Sequence, residues 1–198
     1  RVFAGSDRYL PAAGTAVRND AARHLIDTAL ATPPGQPLYV LALGCVTNIA
    51  SALLLAPQIA QRIVVVWTSG YPSTAPHVND SFNLEQDLPA SQWLMDCGVP
   101  LVYLPGFHVG AQLRLSQAEV EQYVRGRGAI GDELHQLFNA NPLWDILRID
   151  TAQPYSWVIW DLICVAWLLE PRWVPSTLVR TPVLDEHRRW VQAPGRHL

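Results

Sequence analysis

The chain has 198 residues, of which 49% are hydrophobic and 16% charged, with a formal net charge of -3. That is enough apolar material for one globular core, and no basic excess favours nucleic acid or an anionic membrane. All 14 basic residues are arginine, which removes Schiff-base lysine chemistry.

The chain begins Arg1-Val2-Phe3-Ala4-Gly5-Ser6-Asp7, with no signal-peptide pattern, and no apolar run reaches the ~18 residues that span a bilayer. A cytoplasmic protein is the expectation. Apolar positions at Ala21, Ala22, Leu25, Ile26, Ala29 and Leu30 recur at helical period across Val17–Ala31. Pro33-Pro34-Gly35 ends that helix, and Leu38–Leu43 reads as a buried strand. The strand stops at Gly44, the chain turns over Cys45 and Val46, and Thr47 stands at the expected N-cap of a helix over Thr47–Leu55. Pro57–Arg62 would continue it. Strand, glycine turn and helix N-terminus together form a place where α/β proteins present backbone groups to a ligand.

Ile63–Thr68 is a second strand of strong β character, followed by a loop from Gly70 to about Asn83 rich in Pro, Ser, Asn and Asp. Loops of that length are usually functional or disordered. Asp87–Cys97 is a predicted helix with Asp87 as N-cap, and Val99–Leu104 a third strand. Helices are expected near Ser116–Arg125 and Ile130–Asn139, and a hydrophobic helix over Trp157–Leu169. Leu178–Leu184 with Arg188–Gln192 reads as an exposed hairpin. The alternation predicts an α/β fold, a mostly parallel sheet flanked by helices, in a single domain spanning 1–198. Cys45, Cys97 and Cys164 are far apart, without zinc spacing, and read as buried reduced thiols.

Asp161 is the only formally charged residue of the Trp157–Leu169 segment. A carboxylate in such surroundings costs several kcal/mol unless paired or metal-bound. Read from the residues alone, a salt bridge to arginine, an N-cap of a helix that starts late, and a metal ligand all satisfy it. His77 and His108 fall in loops after the second and third strands, on the ligand-binding side of a parallel sheet, where a histidine can protonate a leaving group. A solvated loop histidine is the plainer reading of each. Trp144, Tyr155, Trp157, Trp160 and Trp167 could wall a planar ligand, although core packing accounts for most of them.

The phrase Leu43-Gly44-Cys45-Val46-Thr47-Asn48-Ile49-Ala50, followed by Leu55-Ala56-Pro57-Gln58-Ile59, resembles the nucleoside hydrolase family of the inosine-uridine preferring type. Two further segments are similar to it: Asp80-Ser81-Phe82-Asn83-Leu84-Glu85-Gln86-Asp87, and Asp161 through Val165-Ala166-Trp167-Leu168-Leu169-Glu170-Pro171. The resemblance implies a Rossmann-like fold and cleavage of the N-glycosidic bond of ribonucleosides with bound Ca²⁺. It makes Asp161 a Ca²⁺ ligand and gives Leu43 a second ligand role through its backbone carbonyl, its side chain remaining in the core. Asn83 would hold ribose hydroxyls, an amide being able to donate and accept. Asn79 is the nearest match to another family asparagine, and Ser81 occupies the family's glutamate position. Trp160 stands where many relatives carry histidine, and could stack on the base.

The family's acidic run D-x-D-x-x-x-D-D, source of most Ca²⁺ ligands and of the general base, has no counterpart in these residues. Arg1–Arg8 is similar to a segment that lies after that run in relatives, and Gly195-Arg196-His197-Leu198 to one from which relatives continue. The resemblance therefore implies a partial domain lacking its first strand, inactive by itself, whose full-length parent is a homo-oligomer (dimer or tetramer). A non-catalytic ribose- or nucleoside-binding relative and a degenerate partial gene product are the competing expectations.

Overall fold

In a computed structural model describing residues 1–196, the chain forms two compact units, residues 1–110 with 161–196 and residues 111–160. His197 and Leu198, the end of the tail matched above, lie outside the described residues.

The first unit opens with α1 (Asp20–Ala31), later than the Val17 start expected from periodicity. Asn19 sets the boundary: it is extended, and its side chain accepts from the Ala22 N–H at 2.8 Å. Strand β1 (Leu38–Ala42) is followed by α2 (Thr47–Leu55), a short 3-10 turn (Pro57–Gln61) and β2 (Ile63–Ser69). Next come α3 (Phe82–Glu85), α4 (Leu88–Asp96) and β3 (Leu101–Pro105). The strands form a parallel sheet in the order β1-β2-β3.

Strand β2 is central, and Ile63, Val65, Val66 and Trp67 are all buried. A fully buried side chain of that kind contributes roughly 1.5–3 kcal/mol, so β2 is the spine on which the ends of the sheet are positioned. Helix α2 packs against α1 and α4, and its Ala50, Ala52 and Leu53 are buried, the two alanines being small enough to let helices approach closely.

Two expectations for this unit are revised. Thr47 is not the N-cap of α2: Val46 holds that position without a side-chain bond, and the Thr47 hydroxyl instead donates to Asp87. Asp87 is the N-cap of α4, accepting from Ala90 N–H with one oxygen and from Leu10 N–H and Thr47 with the other. One buried carboxylate thus joins three segments. The loop after β2 also ends earlier than expected, because Asn83 lies in α3.

The second unit pairs β4 (Arg114–Ser116) antiparallel with β5 (Ser156–Val158). Between them run α5 (Gln117–Glu119), a π-helical turn (Val120–Val124), α6 (Gly128–Asn139) and α7 (Leu143–Leu147). Ser116 and Glu119 form a reciprocal capping box at α5, and their hydrogen bonds lower the Glu119 carboxyl pKa. Trp144 packs on both Tyr155 and Trp157, and Trp144 and Tyr155 also on Phe138. The Trp144 and Tyr155 polar atoms donate to the Phe138 carbonyl at 2.9 and 2.7 Å. Core packing is therefore their role.

Back in the first unit, α8 (Leu162–Leu169) precedes a two-stranded hairpin, β6 (Val183–Leu184) and β7 (Trp190–Val191). The predicted Trp157–Leu169 helix is corrected here. Residues Ser156–Val158 are strand, paired to β4, and the helix begins only at Leu162. Asp161 is consequently at the helix N-cap position and half-buried, not enclosed within an apolar helix. The hairpin is real but not wholly exposed, since Leu184 is 3% exposed and belongs to the core. Cys164 is buried, while Cys45 and Cys97 are half-buried, and all three are free thiols.

Candidate functional site

The predicted sugar-contact residues converge on the carboxyl end of β2. Asn83 Nδ2 donates to the Thr68 carbonyl at 3.1 Å, which leaves its amide oxygen without a partner among the described residues. Ser81 is buried and its hydroxyl lies 3.2 Å from that of Ser69, the next residue along the strand. Asn79 is fully buried and braced within the loop: its oxygen accepts from Tyr71 N–H at 2.7 Å, and its Nδ2 donates to the Arg188 carbonyl at 2.9 Å. Gly70 makes the turn at φ 45°, and a Cβ there would run into the Asn79 amide oxygen and the Tyr103 hydroxyl. Glycine is required at that point by space as well as by backbone angle.

The Tyr103 hydroxyl donates to the Ser69 and Tyr71 carbonyls at 2.7 and 3.0 Å, and burial pushes its pKa well above the usual tyrosine value. Backbone bonds from Gly106 to Ser69 and from Phe107 to Gly70 extend the β2–β3 pairing past the strand ends. The wall is rigid because almost every polar atom in it has a partner.

Asp161 stands at the start of α8, which packs on β1 and β2. Burial first, then the neighbouring Asp161, pushes Cys164 to about 12. Strand β2 therefore meets both the helix that Asp161 opens and, at Thr68, the Asn83 amide. Desolvation raises the Asp161 carboxyl above its ordinary value, and no ion-pair or hydrogen-bond partner meets that carboxylate among the described residues. Neither the arginine salt bridge nor a side-chain cap accounts for it.

Leu43 lies just past β1, and its side chain is 47% exposed, against the expected core placement. The neighbouring Gly44 carbonyl is fixed by Trp67 Nε1 at 3.1 Å, which anchors this turn to the buried face of β2. A partly desolvated carboxylate without a partner, on a helix packed against the strand that ends at Ala42, has the donor chemistry of one wall of a hard-cation site. Among the described residues there is no group of three or more His, Cys, Asp and Glu side chains that could hold a metal. These two oxygens fit Ca²⁺ only as a minority of the 6–8 it takes.

The loops after β2 and β3 bring the two candidate histidines together. His77 stacks on Tyr71 with ring centroids 4.5 Å apart, and His108 meets the same ring edge-on at 5.6 Å. The two imidazoles are 6.3 Å apart, with Phe107 also against Tyr71. His108 has φ 76°, an unusual value for a non-glycine residue. Tyr71 and Phe107 were not singled out in sequence, although each directly follows a glycine at a strand end, the signal that could have marked them. Trp160, the last residue of the second unit, is 37% exposed.

Polar side chains gathered at the carboxyl ends of parallel strands define an α/β ligand-binding protein of the Rossmann-like class. Residues 4–193 match the family described as inosine-uridine preferring nucleoside hydrolase, and the chain belongs to that family. An uncharacterized protein of Schizosaccharomyces pombe is 26% identical over 150 residues, covering 74% of this chain and 47% of that protein. An inosine-uridine preferring nucleoside hydrolase from Bacillus anthracis aligns with a TM-score of 0.64 at 21% identity, covering 91% of this chain and 59% of its own. An inosine-guanosine nucleoside hydrolase aligns at 0.66 and 17% identity, covering 87% and 55%. The structural likenesses establish a shared fold. The chain thus spans about half of each relative. Among the described residues no helix is long and apolar enough to cross a membrane.

Proposed function

We propose that the full-length protein hydrolyses the N-glycosidic bond of ribonucleosides in a Ca²⁺-dependent reaction. The observation that carries this reading is the unpartnered Asp161 carboxylate at the start of a helix packed against β2, the strand whose Thr68 carbonyl accepts from Asn83, in a chain of this family. Asp161 and the Leu43 carbonyl would hold one side of the ion, whose bound charge favours ionisation of water and grips sugar hydroxyls. Asn83 offers an amide oxygen and a second N–H to those hydroxyls, and Ser81 a hydroxyl, while Asn79 holds the loop that carries them.

Water adds to the anomeric carbon as the bond to the base breaks through an oxocarbenium-like state, and the departing base nitrogen takes a proton. His77 and His108 are the residues proposed to supply that proton, and Trp160, adjacent in sequence to Asp161, to stack on the base. With two metal ligands here and no acidic base matched, the 198 residues by themselves are expected to be inactive. A homo-oligomeric, cytoplasmic parent acting on free nucleosides, without nucleic acid or membrane as partner, completes the proposal.

A second reading, a non-catalytic nucleoside-binding relative, is favoured by Ser81 and Trp160 standing where polar family residues are expected. Ribose release from inosine and uridine by the full-length protein, with and without a Ca²⁺ chelator, separates the two. Chelator-sensitive release is the expected result. Binding of inosine without ribose release would leave the second reading, and neither would overturn both.

A further inference from the structure

The β6–β7 hairpin docks on the segment that carries Ser81 and Asn83. The Arg188 carbonyl, at the hairpin turn, accepts from both the backbone N–H of Asn79, at 2.8 Å, and its side chain, at 2.9 Å. The Arg188 guanidinium pairs with Glu85 at the far end of the same segment. One residue thus grips residues 79 and 85, with Ser81 and Asn83 between. Trp190 Nε1 donates to the Tyr71 carbonyl at 3.0 Å, and Gln192 to that of Ser73 at 2.8 Å, so the rest of the hairpin follows the loop.

The grip is built on an unfavourable backbone. Arg188 has φ 60°, a conformation that glycine adopts readily and that the Cβ of any other L-residue disfavours. The turn is held there by Asp185, whose carboxylate accepts from the N–H groups of His187 and Arg189 and whose carbonyl accepts from Arg188 N–H. In this left-handed turn the carbonyl reaches Asn79 while the side chain extends to Glu85. An arginine at a glycine-type position is explained if its side chain has a task there.

We propose that Arg188 is a positioning residue, its two-point hold on residues 79–85 setting the geometry with which Ser81 and Asn83 meet the sugar. This rests on the nucleoside reading above. The test is Arg188→Gly in the full-length protein, since glycine keeps the turn and its carbonyl and deletes only the guanidinium arm. Thermal stability is expected to stay within error, while amide exchange across residues 80–85 accelerates severalfold. KM for inosine should rise about fivefold, the scale of one half-exposed ion pair, with kcat within about twofold; Arg188→Lys should recover part of the KM.

Unchanged exchange overturns the proposal, as does faster exchange with an unchanged KM. A fall in kcat at constant KM also overturns it. If the parent protein neither binds nor cleaves inosine, the nucleoside reading fails, and a change in exchange alone reduces Arg188 to a structural brace.

Discussion

The two sides of the strand-end site are built on opposite principles. On the side proposed to meet the sugar, Asn79, Ser81, Tyr103, Arg188 and the Ser69 and Tyr71 carbonyls satisfy one another. On the side proposed to hold the metal, Asp161 is half-buried and desolvated with no partner among the described residues, and Leu43 is 47% exposed. A wall whose polar atoms are internally paired stabilises itself and is ready-made for a neutral ligand. An unpaired, partly buried charge does the reverse. It costs stability until a cation meets it.

Replacing Asp161 breaks this comparison most severely, and with opposite signs for function and stability. With Asp161→Asn, Ca²⁺ binding measured by calorimetry on the full-length protein should be lost, and ribose release should fall by at least about a hundredfold. With no calcium added, the same variant should melt slightly higher than the parent, because the desolvated charge is gone. A lower melting temperature would show that the carboxylate is a structural partner, and would return it to the salt-bridge or cap readings that the geometry disfavours.

Asn79 and Asn83 sharpen the comparison from the other side. Asn79→Ala leaves the half-buried Tyr71 N–H without an acceptor, whereas the Arg188 carbonyl keeps the Asn79 N–H. One orphaned donor and a small void amount to about 2–3 kcal/mol of lost stability, measurable by urea unfolding. Asn83→Ala removes a single half-buried bond to the Thr68 carbonyl. Its stability loss should be under about 1 kcal/mol, while KM for inosine rises about tenfold. Equal effects of the two substitutions on stability would erase the distinction between the residue that holds the wall and the one that faces the sugar.

Much of the sheet was legible in sequence because each strand is a β-branched or apolar run bounded by Gly or Pro, and the central strand is buried along nearly its whole length. The Trp157–Leu169 segment misled because a continuous apolar run does not distinguish strand from helix. Here the break falls between Val158 and Leu162, and the pairing of β5 with β4, more than 40 residues away in sequence, decides it. Thr47 misled for a related reason: a hydroxyl at a helix start caps its own backbone only if no better acceptor is near, and a buried carboxylate from α4 is present. Asp87 was legible as an N-cap, but its hold on Leu10 and Thr47 was not. The Arg188 grip left no local signal, since it depends on a backbone angle that nothing in Asp185-Glu186-His187-Arg188-Arg189 announces.

Tyr103 gives the smallest effect and tests the self-sufficiency of the wall most directly. Both carbonyls it meets have second donors, Gly106 N–H for Ser69 and Trp190 Nε1 for Tyr71. Tyr103→Phe therefore leaves neither acceptor orphaned, and should cost only about 1 kcal/mol. The hydroxyl also sets a pH dependence. Burial raises its pKa above the ordinary value of about 10, so the folded chain holds this proton more tightly than the unfolded chain. Its contribution is complete below that ordinary value and is lost as pH rises through it toward the raised one. The parent should lose stability at strongly alkaline pH faster than Tyr103→Phe does, the two curves converging as pH rises. Phenolate absorbance should show one tyrosine ionising only as the fold is lost. Ionisation of that tyrosine within the folded state would mean that water reaches the Ser69 carbonyl, and that the sugar-side wall is as open as the turn at Leu43.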